Sequence, residues 1–298
     1  MGTGLTSADV VATLEARGHR GAVTRISRRG LVSRMRGPEQ AESTADFAAD
    51  PARTAGALLR RVRAQVAQDA AQGLTWHACF DRLREQGTAI WAALPAPERR
   101  RLLRHLRPYW DAHRYRLAPP TAEALARAGG RLTSRAARLV AVQAQAGDAA
   151  FRVTLRPRRM SEAVTLDCGW IVLTTGPDHA ALLRSDPVLA QLAGAGHLRP
   201  DAVGLGPAAL PDGRALDAQG RPHDRLLIAG PLARGSIGEL VGAPEIATFT
   251  RAMIGALVAR AWGAPAPVPA PPACTADPLP PPPLAASPHL AAAAPAGR

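Results

Sequence analysis

The sequence of 298 residues can form one large domain or two small ones, and its length is ample for a buried core. All 37 basic residues are arginine, and the formal net charge is +13. Heavy use of Ala, Gly and Pro together with the lack of lysine indicates GC-rich codon bias, so this charge is a weak sign of nucleic-acid binding. Cys79, Cys168 and Cys274 are far apart, which argues against a disulfide framework, a zinc site or a redox-active pair and favours a reducing cytoplasm. No apolar run reaches the ~20 residues that a membrane helix needs, and no charged-then-apolar signal peptide is recognisable.

The chain begins with a glycine-containing turn followed by a short apolar helix. Gly2 and Gly4 match the first two glycines of G-x-G-x-x-G, and Ser7 stands where the third would lie. Such glycines let the backbone approach a pyrophosphate, while the next helix directs its N-terminal N–H groups at the phosphates. The sequence then predicts the end of this helix at Gly18 and a short strand over 22–27. This order is typical of a nucleotide-binding βαβ unit without its first strand.

Ser27, Arg28 and Arg29 follow the predicted strand, at the point where NAD-binding units usually carry an acidic residue for the ribose 2′-hydroxyl. Two guanidiniums and a hydroxyl suit a 2′-phosphate better, because Arg pairs with phosphate through charge-assisted hydrogen bonds. The succession of turn, helix, strand and Ser-Arg-Arg therefore predicts NADP(H) binding. A plain glycine-containing turn with a solvated arginine pair is the alternative interpretation.

A helical region is predicted after an irregular polar segment at 31–54. Its helices are expected at 55–72, 76–93, 98–106 and 121–127. Pro97 and Glu98 are typical of a helix start, because Pro suits the first turn and an acid suits the positive end of the dipole.

The most aromatic and basic stretch of the sequence covers residues 104–116. It has three interpretations: the wall of a flavin or substrate pocket, a nucleic-acid patch, or a helix end whose Trp and Tyr pack on the sheet while its arginines face water. His105 and His113 are candidate acid–base groups because imidazole titrates near neutral pH, and a structural role is the alternative for both. No side chain in the sequence is a convincing catalytic acid, base or nucleophile.

The second half of the sequence changes to strand-like periodicity from residue 131. Meander strands are predicted at 131–134, 138–143, 151–155 and 164–166, and an apolar strand at 170–175. A helix at 180–194, a turn-rich segment at 200–225, a buried strand at 225–231 and a final helix at 244–262 follow. The remaining residues, 263–298, are mostly Pro and Ala, and this composition predicts a disordered tail.

Taken in order, several segments resemble the FAD/NAD(P)-binding proteins. These segments are GTGLTSADVV, RGHRGAVTRISRRGLV, RRLLRHLRPYWDAHRYRLAP, IVLTTGP, and LLIAGPLARG followed by APEI. This bacterial group is related to the flavin-dependent N-hydroxylating monooxygenases and, more distantly, to the pyridine nucleotide-disulfide oxidoreductases. The resemblance covers residues 2–262 and implies an α/β fold in three parts: a Rossmann-like NAD(P)-binding unit at 1–134 with a helical segment at 55–128, the C-terminal part of an FAD-binding domain at 135–262, and the tail.

The resemblance also implies cofactors and their contacts. NADP(H) would lie against the opening turn and the paired arginines, with contacts at Gly2, Thr3, Gly4, Leu5, Thr6, Ser27, Arg28 and Arg29. FAD would lie beside the glycine-ended strand at Thr175, Gly176 and Pro177 and beside the last strand turn at Gly230, where Pro231 replaces the usual Asp. The implied activity is hydride transfer from NADPH to flavin in the cytoplasm, with an unidentified small-molecule substrate, without membrane association and without metal or nucleic acid.

The sequence departs from the family at its start. The strand that should precede Gly2 and the FAD-binding glycine motif are both absent, so we expect either a start recorded too late in the gene or a degenerate fragment, with a weak hold on FAD. The alternative functions are a non-catalytic nucleotide-binding remnant and an Arg-rich nucleic-acid-binding protein.

Overall fold

The protein has a mixed α/β fold, and the computed structural model describes residues 1–146, 150–176 and 178–262. Pro177 and the predicted tail at 263–298 lie outside the described residues. The helices are α1 (Leu5–Ala16), α2 (Ala55–Ala71), α3 (Trp76–Glu85), α4 (Gly87–Ala93), α5 (Ala96–His105), α6 (Arg107–Arg114), α7 (Pro119–Ala128), α8 (Leu182–Ser185), α9 (Pro187–Gly194), α10 (Arg234–Ile237) and α11 (Ala243–Trp262). The strands are β1 (Val23–Ser27), β2 (Leu132–Ala144), β3 (Phe151–Pro157), β4 (Val164–Cys168), β5 (Arg214–Leu216) and β6 (Pro222–Leu227).

Strands β1 to β4 form one sheet in the order β1-β2-β3-β4. β1 and β2 are parallel, with Val23 opposite Leu132, whereas β2, β3 and β4 form an antiparallel meander. The sequence predicts two strands over 131–143, but the structure has one, because the first half of β2 pairs with β1 and the second half pairs with β3. The core of this sheet contains Ile26, Ala137, Val153 and Leu155.

The first two residues lie between β1 and residues 172–174. The Gly2 amide donates to the carbonyl of Ile26 at 2.8 Å, and the Thr174 amide donates to the carbonyl of Met1 at 2.7 Å. The strand predicted at 170–175 is therefore present as a hydrogen-bonded segment and not as a regular strand. Helix α1 begins at Leu5, just after the first residues of the chain, and packs against α7, which leads into β2.

The helices α2 to α6 lie between β1 and α7 in the chain and have a core of their own. This core consists of Ala45, Phe47, Ala52, Leu58, Cys79, Leu83, Ile90 and Leu94. The single helix predicted over 76–93 is divided at Gln86, whose side-chain oxygen accepts from the Phe47 amide at 2.6 Å. The helix predicted to start at Glu98 begins two residues earlier, at Ala96, and the Glu98 carboxylate also accepts from the Ala55 amide at 2.9 Å, at the start of α2.

A third core lies under the hairpin of β5 and β6. It contains Leu198, Ala209, Ala215, Ile228, Ala233, Ile237, Leu240, Phe249 and Met253. The strand predicted at 225–231 ends earlier, at Leu227, and pairs antiparallel with β5. The predicted domain boundary between residues 134 and 135 falls inside β2. Residues Met1–Ala256 form one compact unit, which ends within α11.

None of the helices within the described ranges has the length and apolar character needed to cross a membrane.

Candidate functional site

The structure brings the opening turn against the turn that follows β1. Gly2 is hydrogen-bonded to Ile26, and the buried Thr3 hydroxyl donates to the carbonyl of Leu31. The acceptors of these two bonds, Ile26 and Leu31, lie directly before and directly after the turn at Ser27–Gly30. The two segments that the sequence assigns to the NADP(H) phosphates are thus neighbours, even though α1 separates them in sequence.

The two glycines of the opening turn have different surroundings. Gly2 has a φ of 118°, and a Cβ at this position would overlap the carbonyl and hydroxyl oxygens of Thr174, so only glycine fits here without a shift. Gly4 is exposed, and a Cβ built on it would meet nothing within 4 Å. No side chain caps α1, so the first-turn amides of Leu5 and Thr6 are free of a side-chain acceptor. An open glycine beside an uncapped helix start is compatible with a bound anion.

The paired arginines after β1 have different roles. The turn that carries them is closed by a hydrogen bond of 3.0 Å from the Gly30 amide to the Ser27 hydroxyl. Arg28 is exposed and takes no part in a hydrogen bond or ion pair among the described residues. Arg29 is half-buried, and its guanidinium donates to the carbonyls of Arg104 and His105, each at 3.0 Å.

The guanidinium of Arg29 therefore stabilises the end of α5. A cation at this position lies at the negative end of the helix dipole and satisfies carbonyls that have no partner within the helix. Its Cζ is also 5.6 Å from the ring centroid of Tyr109 in α6. Arg28 is consequently the arginine of the pair that is free to meet a ligand.

The residues that the resemblance assigns to FAD have different neighbours. Thr175 and Gly176 are exposed and follow Thr174, which is bonded to Met1 beside the opening turn. Gly230 is buried, has a φ of 61° and begins a 3-10 turn, and a Cβ on it would come within 4.0 Å of Ile246 in α11. Pro177, as noted, is outside the described residues.

Part of the aromatic stretch at 104–116 lines a cavity of about 410 Å³ among α2 to α6. Two rings of this stretch pack on Phe80 of α3: Trp110 stacks on it with centroids 5.8 Å apart, and His113 stacks on the same ring at 4.9 Å. The Nδ1 atom of His113 is also 2.7 Å from the Tyr109 carbonyl, which gives this histidine a structural role.

Arg104 is exposed and has no ion pair among the described residues, whereas the other three arginines of the same stretch are held in ion pairs. Their partners are Asp111 for Arg107 at 3.5 Å, Glu239 for Arg114 at 3.0 Å, and Asp81 for Arg116 at 3.0 Å. Because these charges are already paired, fewer of them can neutralise phosphates of a nucleic acid.

One end of the cavity is polar, and sequence reasoning does not single out its residues. Asp111, Arg234 and Glu239 line it together with Arg107. They come from α6, α10 and the residues after α10, so no local motif connects them. The i,i+4 spacing of Arg107 and Asp111 is the one pattern in the sequence that points to this end of the cavity.

Comparison with known proteins gives no relative: no protein-family model matches the chain, and no match is found among curated proteins or solved structures.

Proposed function

We propose that this protein binds NADP(H) at its opening turn and acts as an NADP(H)-dependent oxidoreductase on an unidentified small molecule. The observation that supports the proposal is the adjacency of the uncapped start of α1 to the free Arg28 at the end of β1. The bond from Gly2 to Ile26 and the bond from Thr3 to Leu31 hold these segments together. A Rossmann-like unit has the same relation between its phosphate-binding turn and its second strand.

Each residue of this site has a defined task in the proposal. Gly4 and the first amides of α1 receive the pyrophosphate, because the space at Gly4 is open and helix N-termini attract anions. Arg28 pairs with the 2′-phosphate and so selects the phosphorylated cofactor. Arg29 holds the turn in place through α5 and does not contact the cofactor. The nicotinamide, when bound, supplies the hydride chemistry.

FAD enters the proposal through the family resemblance. Thr175 and Gly176 are exposed beside the opening turn, which suits contact with a second cofactor or with the nicotinamide end of the first. Gly230 fits less well, because it is buried against Ile246. Absorbance of the purified protein at about 450 nm tests for a bound flavin.

The test is a calorimetric titration of the purified chain with NADPH and NADH. We expect tighter binding of NADPH, and we expect Arg28→Ala to weaken NADPH binding at least tenfold while leaving NADH binding unchanged. Hydrogen bonds to charged groups contribute about 1.5–3 kcal/mol, and about 1.4 kcal/mol corresponds to tenfold. Arg60→Ala is the matched control, since Arg60 is an exposed arginine on α2.

The possible outcomes separate the alternatives. A yellow protein absorbing at about 450 nm that prefers NADPH supports the oxidoreductase. A colourless protein with the same preference supports a non-catalytic nucleotide-binding protein. Salt-sensitive retention on DNA without nucleotide binding supports a nucleic-acid-binding protein and contradicts the proposal. Equal loss of NADPH and NADH affinity in Arg28→Ala contradicts the assignment of the 2′-phosphate to this arginine.

A further inference from the structure

The cavity among α2 to α6 has walls that are mainly hydrocarbon. Leucines from α2, α3 and α5 line it, together with the rings of Phe80, Trp91 and Trp110. Its volume of about 410 Å³ lies within the range of about 300–1,000 Å³ that is usual for small-molecule sites. Covering an apolar surface of this kind removes it from water, which is favourable. The walls therefore suit a ligand whose body is hydrocarbon.

Arg63 on α2 places a positive charge at the mouth of this cavity. It lines the cavity and is exposed, so its side chain lies where the cavity opens to solvent. It takes no part in a hydrogen bond or ion pair with any residue that the structure describes. Leu59, which also lines the cavity, lies one helical turn before Arg63, so the two side chains are neighbours on one helix face. The guanidinium of Arg63 is therefore next to the apolar wall.

The other charged side chains of the lining already have partners. Asp111 and Glu239 form ion pairs with Arg107 and Arg114, at 3.5 and 3.0 Å. The Nη1 atom of Arg234 is 3.3 Å from a histidine ring nitrogen. Within the described part of the chain, the arginine at the mouth is thus the lining cation that has no partner.

An unpaired guanidinium at the mouth restricts the polar group of the ligand. A carboxylate accepts charge-assisted hydrogen bonds from a guanidinium, a neutral hydroxyl gains less, and an ammonium is repelled. A carboxylate at the mouth also keeps its contact with water, and this is important because burying a charge away from water is costly. The hydrocarbon body of the same ligand would fill the interior of the cavity.

We propose that this cavity binds a monocarboxylate with a hydrocarbon chain of medium length, of the fatty-acid class. The chain lies among Phe80, Trp91 and Trp110, and the carboxylate accepts from the guanidinium of Arg63 at the mouth. This site shares no residue with the opening turn and is independent of nucleotide binding.

Equilibrium dialysis of the full chain against decanoate, decan-1-ol and decylamine tests the proposal. These probes share one alkyl chain and differ in the polar group, and each is used below the concentration at which it forms micelles. We expect one decanoate to bind per chain, about three- to fivefold more tightly than decan-1-ol, because solvent screens a pair with an exposed arginine. Decylamine should bind most weakly. Octanoate should bind roughly tenfold more weakly than decanoate, because two fewer methylenes are buried.

Reversal of the charge at the mouth tests the polar contact. Arg63→Glu should shift the ratio of decanoate affinity to decylamine affinity at least tenfold in favour of decylamine. Because Arg63 is exposed, this variant is expected to fold normally. Arg60→Glu is the matched control, since Arg60 is an exposed arginine on the same helix that does not line the cavity, and it should leave the ratio unchanged.

A second variant tests the apolar contact by filling the cavity. Leu59 is half-buried, and Leu59→Trp should weaken decanoate binding at least tenfold while the far-UV circular dichroism spectrum stays that of the wild type. The proposal is overturned if decanoate does not bind, if decan-1-ol or decylamine binds as tightly, or if Arg63→Glu leaves the affinity ratio unchanged. Decanoate binding at many sites per chain that is insensitive to Leu59→Trp also overturns it.

Discussion

Replacing Arg29 by alanine tests whether the two arginines after β1 have separate roles. The change removes two hydrogen bonds of 3.0 Å to the carbonyls at the end of α5 and the contact with the ring of Tyr109. A hydrogen bond contributes about 0.5–1.5 kcal/mol net, and a cation at a helix C-terminus contributes about 0.3–1 kcal/mol. Because the guanidinium is only half-buried, solvent screening reduces these values. We expect Arg29→Ala to lower the free energy of unfolding by about 1–2 kcal/mol.

Urea denaturation followed by far-UV circular dichroism measures this loss. Arg29→Lys should recover part of it, because an ammonium keeps the charge near the helix end but lacks the planar fork that reaches two carbonyls. Arg28→Ala and Arg60→Ala should leave stability unchanged within about 0.5 kcal/mol, as is usual for exposed positions. An Arg29→Ala variant as stable as the wild type, or a larger loss of stability in Arg28→Ala, would refute the separate roles of the two arginines.

Three further substitutions of buried residues test the packing of the protein, one of its buried hydrogen bonds and the titration of the Cys79 thiol. Leu155→Ala should cost about 2–5 kcal/mol in urea denaturation, because Leu155 is fully buried in the sheet core, while Leu173→Ala should cost little. Trp91→Phe should cost about 1–3 kcal/mol, because its indole N–H donates to the buried carbonyl of Gly235 at 2.9 Å; a near-neutral result would contradict the importance of this bond. Burial raises the pKa of the Cys79 thiol to about 12 from an ordinary value of 9.0. The stability contributed by this neutral thiol is fully present below the ordinary pKa and is lost as pH rises toward the folded value. Between pH 7 and 10 the wild type should therefore lose about 1.4 kcal/mol more than Cys79→Ala, and parallel curves would refute this.

The elements that the sequence predicts well are those with a local cause. Helix α1 stops where expected, because Gly18 adopts a φ of 75° that ends a helix readily. The start of α5 follows from Pro97 and Glu98. Elements set by distant partners are predicted less well. The helix predicted over 76–93 is divided at Gln86, whose side chain is bonded to the distant Phe47, and the length of β2 depends on two neighbouring strands that are far apart in sequence.

The same distinction applies to the candidate sites. The neighbourhood of the opening turn and the Ser27–Gly30 turn follows from the order of helix and strand, and this part of the site can be predicted. The hydrogen bonds from Arg29 to the end of α5 could not be predicted, because the acceptors are backbone carbonyls that lie some 75 residues away in the sequence. The cavity could not be predicted either, since its polar end is assembled by packing from α6 and α10.

The placement of α2 to α6 between two adjacent parallel strands has a consequence for the kinetics of folding. Val23 in β1 pairs with Leu132 in β2, so β1 can pair only with a strand that lies more than a hundred residues further along the chain. The meander of β2, β3 and β4 needs only near neighbours and can form early. The intervening helices shorten the effective loop once they have collapsed on their own core, which lowers the entropy lost when the loop closes. We therefore expect docking of the opening turn and β1 onto β2 to be a late event in folding, with β1 left without its strand partner until then.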